Sequence, residues 1–211
     1  MSRKVSRIST LFLVLGLASV ATIFFSIQKS ATANIRQPLN INVDDGMLQK
    51  YRELSTLSIN ERKDHFRIAS AKDRSDLWKT HFAEYIKTHP DLTQDQLKII
   101  EEGVDLASPI IFGMPDNAAV KKAVIGEALL KLKEHALVAF SHEEAKKLFA
   151  VLGGEVTPSD KFGRAPKKDT CPCSTQDPWC GGSTCWGNNG ECSSSNSGCG
   201  TLWQYQCNGS C

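Results

Sequence analysis

The first 170 residues of this 211-residue chain contain no cysteine. All eight cysteines lie in the last 41 residues, at Cys171, Cys173, Cys180, Cys185, Cys192, Cys199, Cys207 and Cys211. Such density in a short segment is typical of a scaffold held by cross-links instead of a large hydrophobic core. The chain therefore combines two segments of different character.

Neither charge sign is in strong excess, since the formal net charge is only +2. A nucleic-acid-binding protein normally carries a marked basic surface, so we expect no nucleic-acid partner. From Cys171 onward there is no Lys, Arg or His, and the only acidic residues are Asp177 and Glu191. This segment therefore carries two negative charges, the wrong sign for cationic insertion into anionic membranes.

Catalytic motifs are also lacking. The five histidines (His65, His81, His89, His135 and His142) never form a His-Glu-x-x-His arrangement. There is no Gly-rich phosphate loop and no Gly-x-Ser-x-Gly elbow. We therefore expect no enzyme activity, no catalytic residues and no cofactor.

The N-terminus has the pattern of an export signal. It begins with three basic residues, Arg3, Lys4 and Arg7. An uncharged, largely apolar run covers 11–27, and Ala31-Thr32-Ala33 then matches the small-residue pattern of signal peptidase. The sequence predicts a signal helix in 1–33, cleaved between Ala33 and Asn34, with an uncleaved membrane anchor as the alternative. Either outcome places the rest of the chain outside the cytoplasm.

Export predicts that the eight cysteines form four disulfides. A thiolate metal site would favour Cys-x-x-Cys pairs or Cys with His, and the cysteine-rich segment contains neither. We therefore expect no metal. The pairing stays open, because eight cysteines allow 105 connectivities.

Residues 44–154 are predicted to form a helical domain of five or six helices without a sheet. Three capping boxes mark helix starts: Ser58 with Glu61, Thr93 with Gln96, and Ser141 with Glu144. Apolar residues recur at helical spacing, as in Trp78, Phe82 and Tyr85, which we expect in the core. A longer helical pattern covers 117–140, and Pro90, Pro109 and Pro115 separate the helical segments.

Residues 155–170 read as an exposed polar linker of the kind that proteases reach. A protease with basic specificity could cut it at Arg164 or at Lys167-Lys168. Gly153-Gly154 upstream resembles a double-glycine leader ending, but we favour a left-handed Gly153 at the C′ position of the preceding helix.

Residues 171–211, hereafter the C-terminal module, are rich in Gly, Ser and Asn and predict turns and short, irregular β-structure. We expect a tight turn at 188–190 and a strand over 202–207. Its few large apolar groups cannot bury a sufficient core, so disulfides must stabilise the module. Reduction should then unfold the module and leave the helical domain intact. The aromatic residues Trp179, Trp186, Trp203 and Tyr205 are candidates for target contact.

Two runs of the C-terminal module resemble a known family. Cys171-x-Cys173-Ser174-Thr175 opens the module, and Gly198-Cys199-Gly200-x-x-Trp203-x-Tyr205-x-Cys207-Asn208-Gly209 lies near its end. This arrangement resembles fulvocin C, a small disulfide-rich bacteriocin, and the longer fulvocin C-related proteins. The resemblance covers about 40 of the 211 residues. It implies that the module is an antibacterial peptide and the rest of the chain its leader or carrier.

Three functional hypotheses follow. The first is a secreted bacteriocin-type precursor, matured by a protease in the linker, that acts on a bacterial surface target or membrane interface. The second is an uncleaved extracellular binding protein whose aromatic module engages a carbohydrate or protein. The third makes the helical domain an immunity or chaperone element that restrains its own tail.

Overall fold

A computed structural model describes residues 39–115, 119, 122–154, 171–181, 183–187, 190 and 192–211. Within these residues the helical domain contains seven α-helices: α1 Asp45–Ser55, α2 Ile59–Ile68, α3 Ala71–Thr88, α4 Gln94–Leu106, α5 Pro109–Phe112, α6 Glu127–Ala139 and α7 His142–Phe149. The described residues of the helical domain form no strand. The predicted class, a mainly helical domain followed by a disulfide-rich module with short strands, is confirmed.

Local capping chemistry explains where several helices begin. At the starts of α2, α4 and α7 the capping hydroxyl accepts the amide three residues on, and the Glu or Gln there accepts the cap's amide. Each arrangement satisfies two amides that the first helical turn leaves unpaired. The three capping boxes predicted from the sequence are therefore confirmed.

The helix count differs from the prediction because of one short element. The single-turn helix α5 begins at Pro109, whose fixed φ suits the first helical position, and Ser108 caps it. Helix α6 also differs from the long helix predicted over 117–140. A π-helical turn, Lys122–Gly126, precedes it, and α6 itself begins only at Glu127.

The core of the helical domain forms around aromatic residues of α3. Trp78 and Phe82 are fully buried, and Tyr85 packs against the same core. Phe82 contacts Phe149 of α7, with ring centroids 5.6 Å apart. The predicted aromatic face of this helix is therefore part of the core.

A buried arginine holds the end of the helical domain in place. The Arg62 guanidinium donates hydrogen bonds to the carbonyls of Ser55, Leu57, Leu152 and Gly154. These acceptors satisfy a charged group that would otherwise be costly to bury.

Gly153 has the expected left-handed φ of +88°. It lies beyond Ala150, the C-cap of α7, so its predicted C′ position was wrong.

The C-terminal module contains four short strands: β1 Trp186–Gly187, β2 Ser195–Cys199, β3 Tyr205–Cys207 and β4 Gly209–Ser210. Strands β1 and β4 pair antiparallel, with Trp186 opposite Ser210. Strands β2 and β3 also pair antiparallel, with Cys199 opposite Tyr205. The strand predicted over 202–207 is shorter than expected and begins only at Tyr205, because a 3₁₀ turn, Thr201–Trp203, precedes β3.

Residues Leu39–Cys211 form one compact unit. Within it, α2 contacts β2, and α6 contacts the 3₁₀ turn 201–203. None of the helices described in 39–154 is long and apolar enough to span a membrane. The predicted signal helix in 1–33 and the predicted linker in 155–170 lie outside the described residues.

Candidate functional site

Four disulfides close entirely within the C-terminal module. They join Cys171 to Cys192, Cys173 to Cys185, Cys180 to Cys211 and Cys199 to Cys207. All eight cysteines are thereby used, and none is left as a thiol. The Sγ atoms of Cys173, Cys180 and Cys211 lie within 4.8 Å of one another, but each belongs to a disulfide and offers no thiolate to a metal.

Trp203 joins the module to the core of the helical domain. Its side chain is 1% exposed and contacts Phe66 of α2 and Trp78 of α3, at centroid distances of 5.2 and 6.0 Å. Both contacts are edge-to-face, the favourable geometry for aromatic rings. Its indole N–H donates to the Ala150 carbonyl at 2.8 Å. The apolar body and the polar edge of Trp203 are therefore both satisfied by the helical domain.

The backbone around Trp203 is strained. Leu202 and Trp203 have φ values of +53° and +56°, in the left-handed region that side chains with a Cβ disfavour. The cost is roughly 1–2 kcal/mol for each such residue. Both side chains are fully buried, Leu202 within the shared core. Burial of these two side chains offsets the local strain.

Glycines on both sides of Cys199 allow this close packing. Gly198 and Gly200 have φ values of +105° and +70°. A Cβ on Gly200 would lie 2.6 Å from the Tyr205 ring and 2.9 Å from an Asp177 carboxylate oxygen. A Cβ on Gly198 would lie 3.4 Å from the Lys63 side chain. The Gly-Cys-Gly run thus has a steric reason in this fold.

An ion pair between a half-buried lysine and a buried aspartate forms a second link between the two parts. Lys133 of α6 donates to an Asp177 carboxylate oxygen at 2.8 Å and also to the Pro178 carbonyl. The Asp177 side chain is 1% exposed, and its other oxygen accepts the Thr201 amide at 2.6 Å. The ammonium also lies 5.0 Å from the centroid of the Trp179 ring. Removing Lys133 would leave a buried carboxylate without its cation, which is strongly unfavourable.

The third link is a buried amine beside a disulfide. Lys63 of α2 is 5% exposed, and its ammonium nitrogen lies 3.3 Å from Cys199 Sγ and 3.8 Å from Cys207 Sγ. Burial, together with the nearby Arg67 charge, lowers the Lys63 pKa to about 8. Sulfur is a weak acceptor, so it compensates little of the desolvation of the ammonium.

The four aromatic residues predicted to contact a target occupy different environments. Trp203 and Trp179 are buried, and the Trp179 indole donates to the Thr201 hydroxyl at 3.2 Å. Tyr205 is half-buried, and burial, together with the Asp177 charge, raises its pKa. Only Trp186 faces solvent, at 69% exposure. In this arrangement Trp186 is available for an outside contact, whereas Trp179 and Trp203 are covered.

Other predicted site residues lie outside the described residues. These are the signal cleavage pair Ala33 and Asn34 and the basic processing residues Arg164, Lys167 and Lys168. Conversely, Lys63 and Lys133 were not identified from the sequence, because charged helix residues usually face solvent. One indication was present: Lys63 and Phe66 lie three residues apart, on the same helical face.

No family model, curated protein or solved structure matches this chain. The resemblance to fulvocin C-related proteins therefore stays a prediction. The structure's own contribution is the disulfide pairing and the three links, Trp203, Asp177–Lys133 and Lys63, between the C-terminal module and the helical domain.

Proposed function

We propose that the chain is a secreted bacteriocin-type precursor, in which the C-terminal module is the antibacterial part and the helical domain is its carrier. The observation that carries this proposal is the closure of all four disulfides inside the module. A single peptide-bond cut within 155–170 would therefore separate the module covalently from the helical domain. The cut module would retain all of its cross-links.

Two further features support this proposal. Four disulfides are consistent with an extracellular protein, since thiols stay reduced in the cytosol. The Gly198-Cys199-Gly200 and Trp203-x-Tyr205 elements, which carry the resemblance to fulvocin C, also lie at the link between the two parts. The resemblance therefore involves residues that organise the module.

Charge limits how the module acts on bacteria. With two acidic residues and no basic ones, it lacks the cationic surface that attracts peptides to anionic lipids. We infer that it engages a specific surface receptor, or a bilayer interface through exposed Trp186. Killing should then be insensitive to moderate salt, because salt screens only long-range charge attraction.

Intact mass spectrometry of the protein secreted by its native host tests the proposal. We expect a species of the size of the C-terminal module that gains eight hydrogens on reduction, two for each disulfide. The same fraction should inhibit the growth of indicator bacteria. A secreted protein that stays uncut and inhibits no strain would contradict the proposal.

The shared core around Trp203 favours a second candidate function. An uncleaved extracellular binding protein would use the module and the helical domain as one body and present Trp186 to a carbohydrate or protein. In that case the secreted protein would be uncut, and Trp186→Ala would abolish binding to glycan arrays or extracellular proteins without changing the thermal unfolding midpoint.

A further inference from the structure

One face of the C-terminal module combines large apolar side chains with a carboxylate, and the helical domain covers this face. Leu202 and Trp203 are fully buried there, and Asp177 is 1% exposed beside them. Elsewhere the described surface of the module is dominated by Gly, Ser, Thr and Asn, with Trp186 as its one exposed tryptophan. Buried aromatic anchors flanked by a desolvated charge pair are typical of the centre of a binding interface.

The two sides of this contact have complementary charge. The module contributes the Asp177 carboxylate and contains no basic residue. The helical domain contributes Lys133, whose ammonium lies 2.8 Å from that carboxylate. Complementary charge of this kind determines which surfaces pair and in which orientation.

Backbone strain on this face indicates that contact with the helical domain maintains the conformation of residues 202–203. Leu202 and Trp203 are consecutive residues with left-handed φ values, and neither is a glycine, which would avoid the steric conflict. Strained conformations persist only where the surrounding structure over-determines them, and they are concentrated at ligand clamps and switch regions. Here Phe66, Trp78 and the Ala150 carbonyl surround Trp203, so the helical domain supplies this constraint.

We infer that the helical domain binds the C-terminal module non-covalently and keeps it inactive after the linker is cut. The covered face of Leu202, Trp203 and Asp177 is then the working face of the module. Its target is a protein surface with the same chemistry, an apolar slot beside a basic side chain. The inhibitory role and the target rest on the proposed function, whereas the non-covalent binding does not.

The first test uses the full-length oxidised chain with a site for a sequence-specific protease placed within 155–170. After complete cleavage, native mass spectrometry and size-exclusion chromatography without reductant should find both fragments in one particle. Separation of two folded fragments at micromolar concentration, with all four disulfides intact, would overturn the inference.

Matched variants identify the contacts responsible. Lys133→Met removes the cation paired with Asp177 and should raise the dissociation constant of the cut fragments by roughly 30-fold or more. Trp186→Ala, at the module's exposed tryptophan, is the control and should leave it unchanged. Trp203→Ala should separate the fragments. Equal dissociation constants for the wild-type and Lys133→Met fragments would contradict a role for the ion pair.

Growth inhibition by the cut proteins tests the inhibitory role and the working face. Lys133→Met and Asp177→Asn break the same ion pair from opposite sides, and the Asn oxygen can still accept the Thr201 amide. The cut Lys133→Met protein should inhibit growth at a lower concentration than the cut wild type. The cut Asp177→Asn protein should also release the module, but without this increase in potency, because the working face of the module is altered. Equal potency of the two variants would exclude Asp177 from the working face.

The two readouts separate the inference from the proposed function. Fragments that stay bound in the wild type, dissociate in the variants and inhibit no bacterium would overturn the bacteriocin proposal and the inhibitory role, but would support the non-covalent binding. Cut wild-type protein as potent as cut Lys133→Met would overturn the inhibitory role alone.

Discussion

At the scale of single residues, Lys63 is the most unusual group at the contact between module and helical domain. The hydrogen-bond acceptors that the described residues offer its ammonium are two disulfide sulfur atoms, and the nearby Arg67 guanidinium adds a repulsive positive charge. These conditions favour the neutral amine, which explains why the pKa falls from 10.5 to about 8. At neutral pH the folded protein therefore bears the cost of a buried positive charge.

This charge predicts a pH dependence of stability. The folded-state pKa of Lys63 is lower than the unfolded value, so the unfolded state binds the proton more tightly. Stability should rise as the pH passes from the folded pKa of about 8 towards the unfolded value of 10.5. Between about pH 7 and about pH 9.5 the Lys63 contribution to the free energy of unfolding should rise by roughly 2 kcal/mol. Urea unfolding at several pH values measures it.

Two variants isolate the Lys63 effect. Lys63→Met keeps the aliphatic stem and removes the titrating amine, so its stability should rise less steeply with pH than that of the wild type. Lys98→Met changes an exposed lysine of α4 and should retain the wild-type slope. Parallel profiles for the wild type and Lys63→Met would show that burial of the amine does not affect stability.

At the scale of elements, the four disulfides differ in how accessible they are to a reductant. Cys211 is exposed and Cys180 half-buried, so their bridge lies at the periphery. Cys199 and Cys207 are 3% and 0% exposed, because their bridge joins β2 to β3 beneath Lys63. Thiol–disulfide exchange requires a direct approach to sulfur, so burial slows it.

We therefore predict that Cys180–Cys211 opens first under limiting reductant and that Cys199–Cys207 opens much later. Alkylation at timed intervals followed by peptide mass spectrometry measures the order. The same experiment in strong denaturant is the control, since unfolding should abolish the difference. Early loss of Cys199–Cys207 in the native protein would argue against its position beneath α2.

At the scale of the whole molecule, the helical domain and the C-terminal module are not energetically independent. Trp203 contacts both Phe66 and Trp78, so the module contributes to the core of the helical domain. The expectation that reduction leaves the helical domain intact treated the module as a separate body. The structure instead predicts that losing the module exposes part of the helical core.

Full reduction should therefore destabilise the helices. Removing a buried tryptophan from a core costs roughly 3–5 kcal/mol, which lowers the unfolding midpoint of a domain this size by on the order of 10 °C. Circular dichroism at the helical wavelength, with and without reductant, measures the shift. The double variant Cys180→Ser/Cys211→Ser lacks only the peripheral bridge. Its unfolding midpoint without reductant should lie much closer to that of the oxidised wild type than the midpoint of the fully reduced wild type does. Identical helical melting with and without reductant would mean that the parts are independent.

Local chemistry allowed much of the fold to be predicted from the sequence. Capping boxes such as Ser58 with Glu61 depend on residues three positions apart and were identified without tertiary information. The confinement of the disulfides to the last 41 residues also followed, because every cysteine lies there. The helical class of residues 44–154 followed from apolar spacing.

Contacts between distant residues were decided only by the tertiary structure. One pairing among 105 was selected by how the strands bring the cysteines together. Trp203 is buried and Trp186 exposed, although the sequence offered both as surface aromatics. Lys63 is buried and Lys133 half-buried because a module more than 40 residues further along the chain packs against α2 and α6. Sequence spacing determines what a residue can do within its own helix or strand, whereas burial depends on which distant surface covers it.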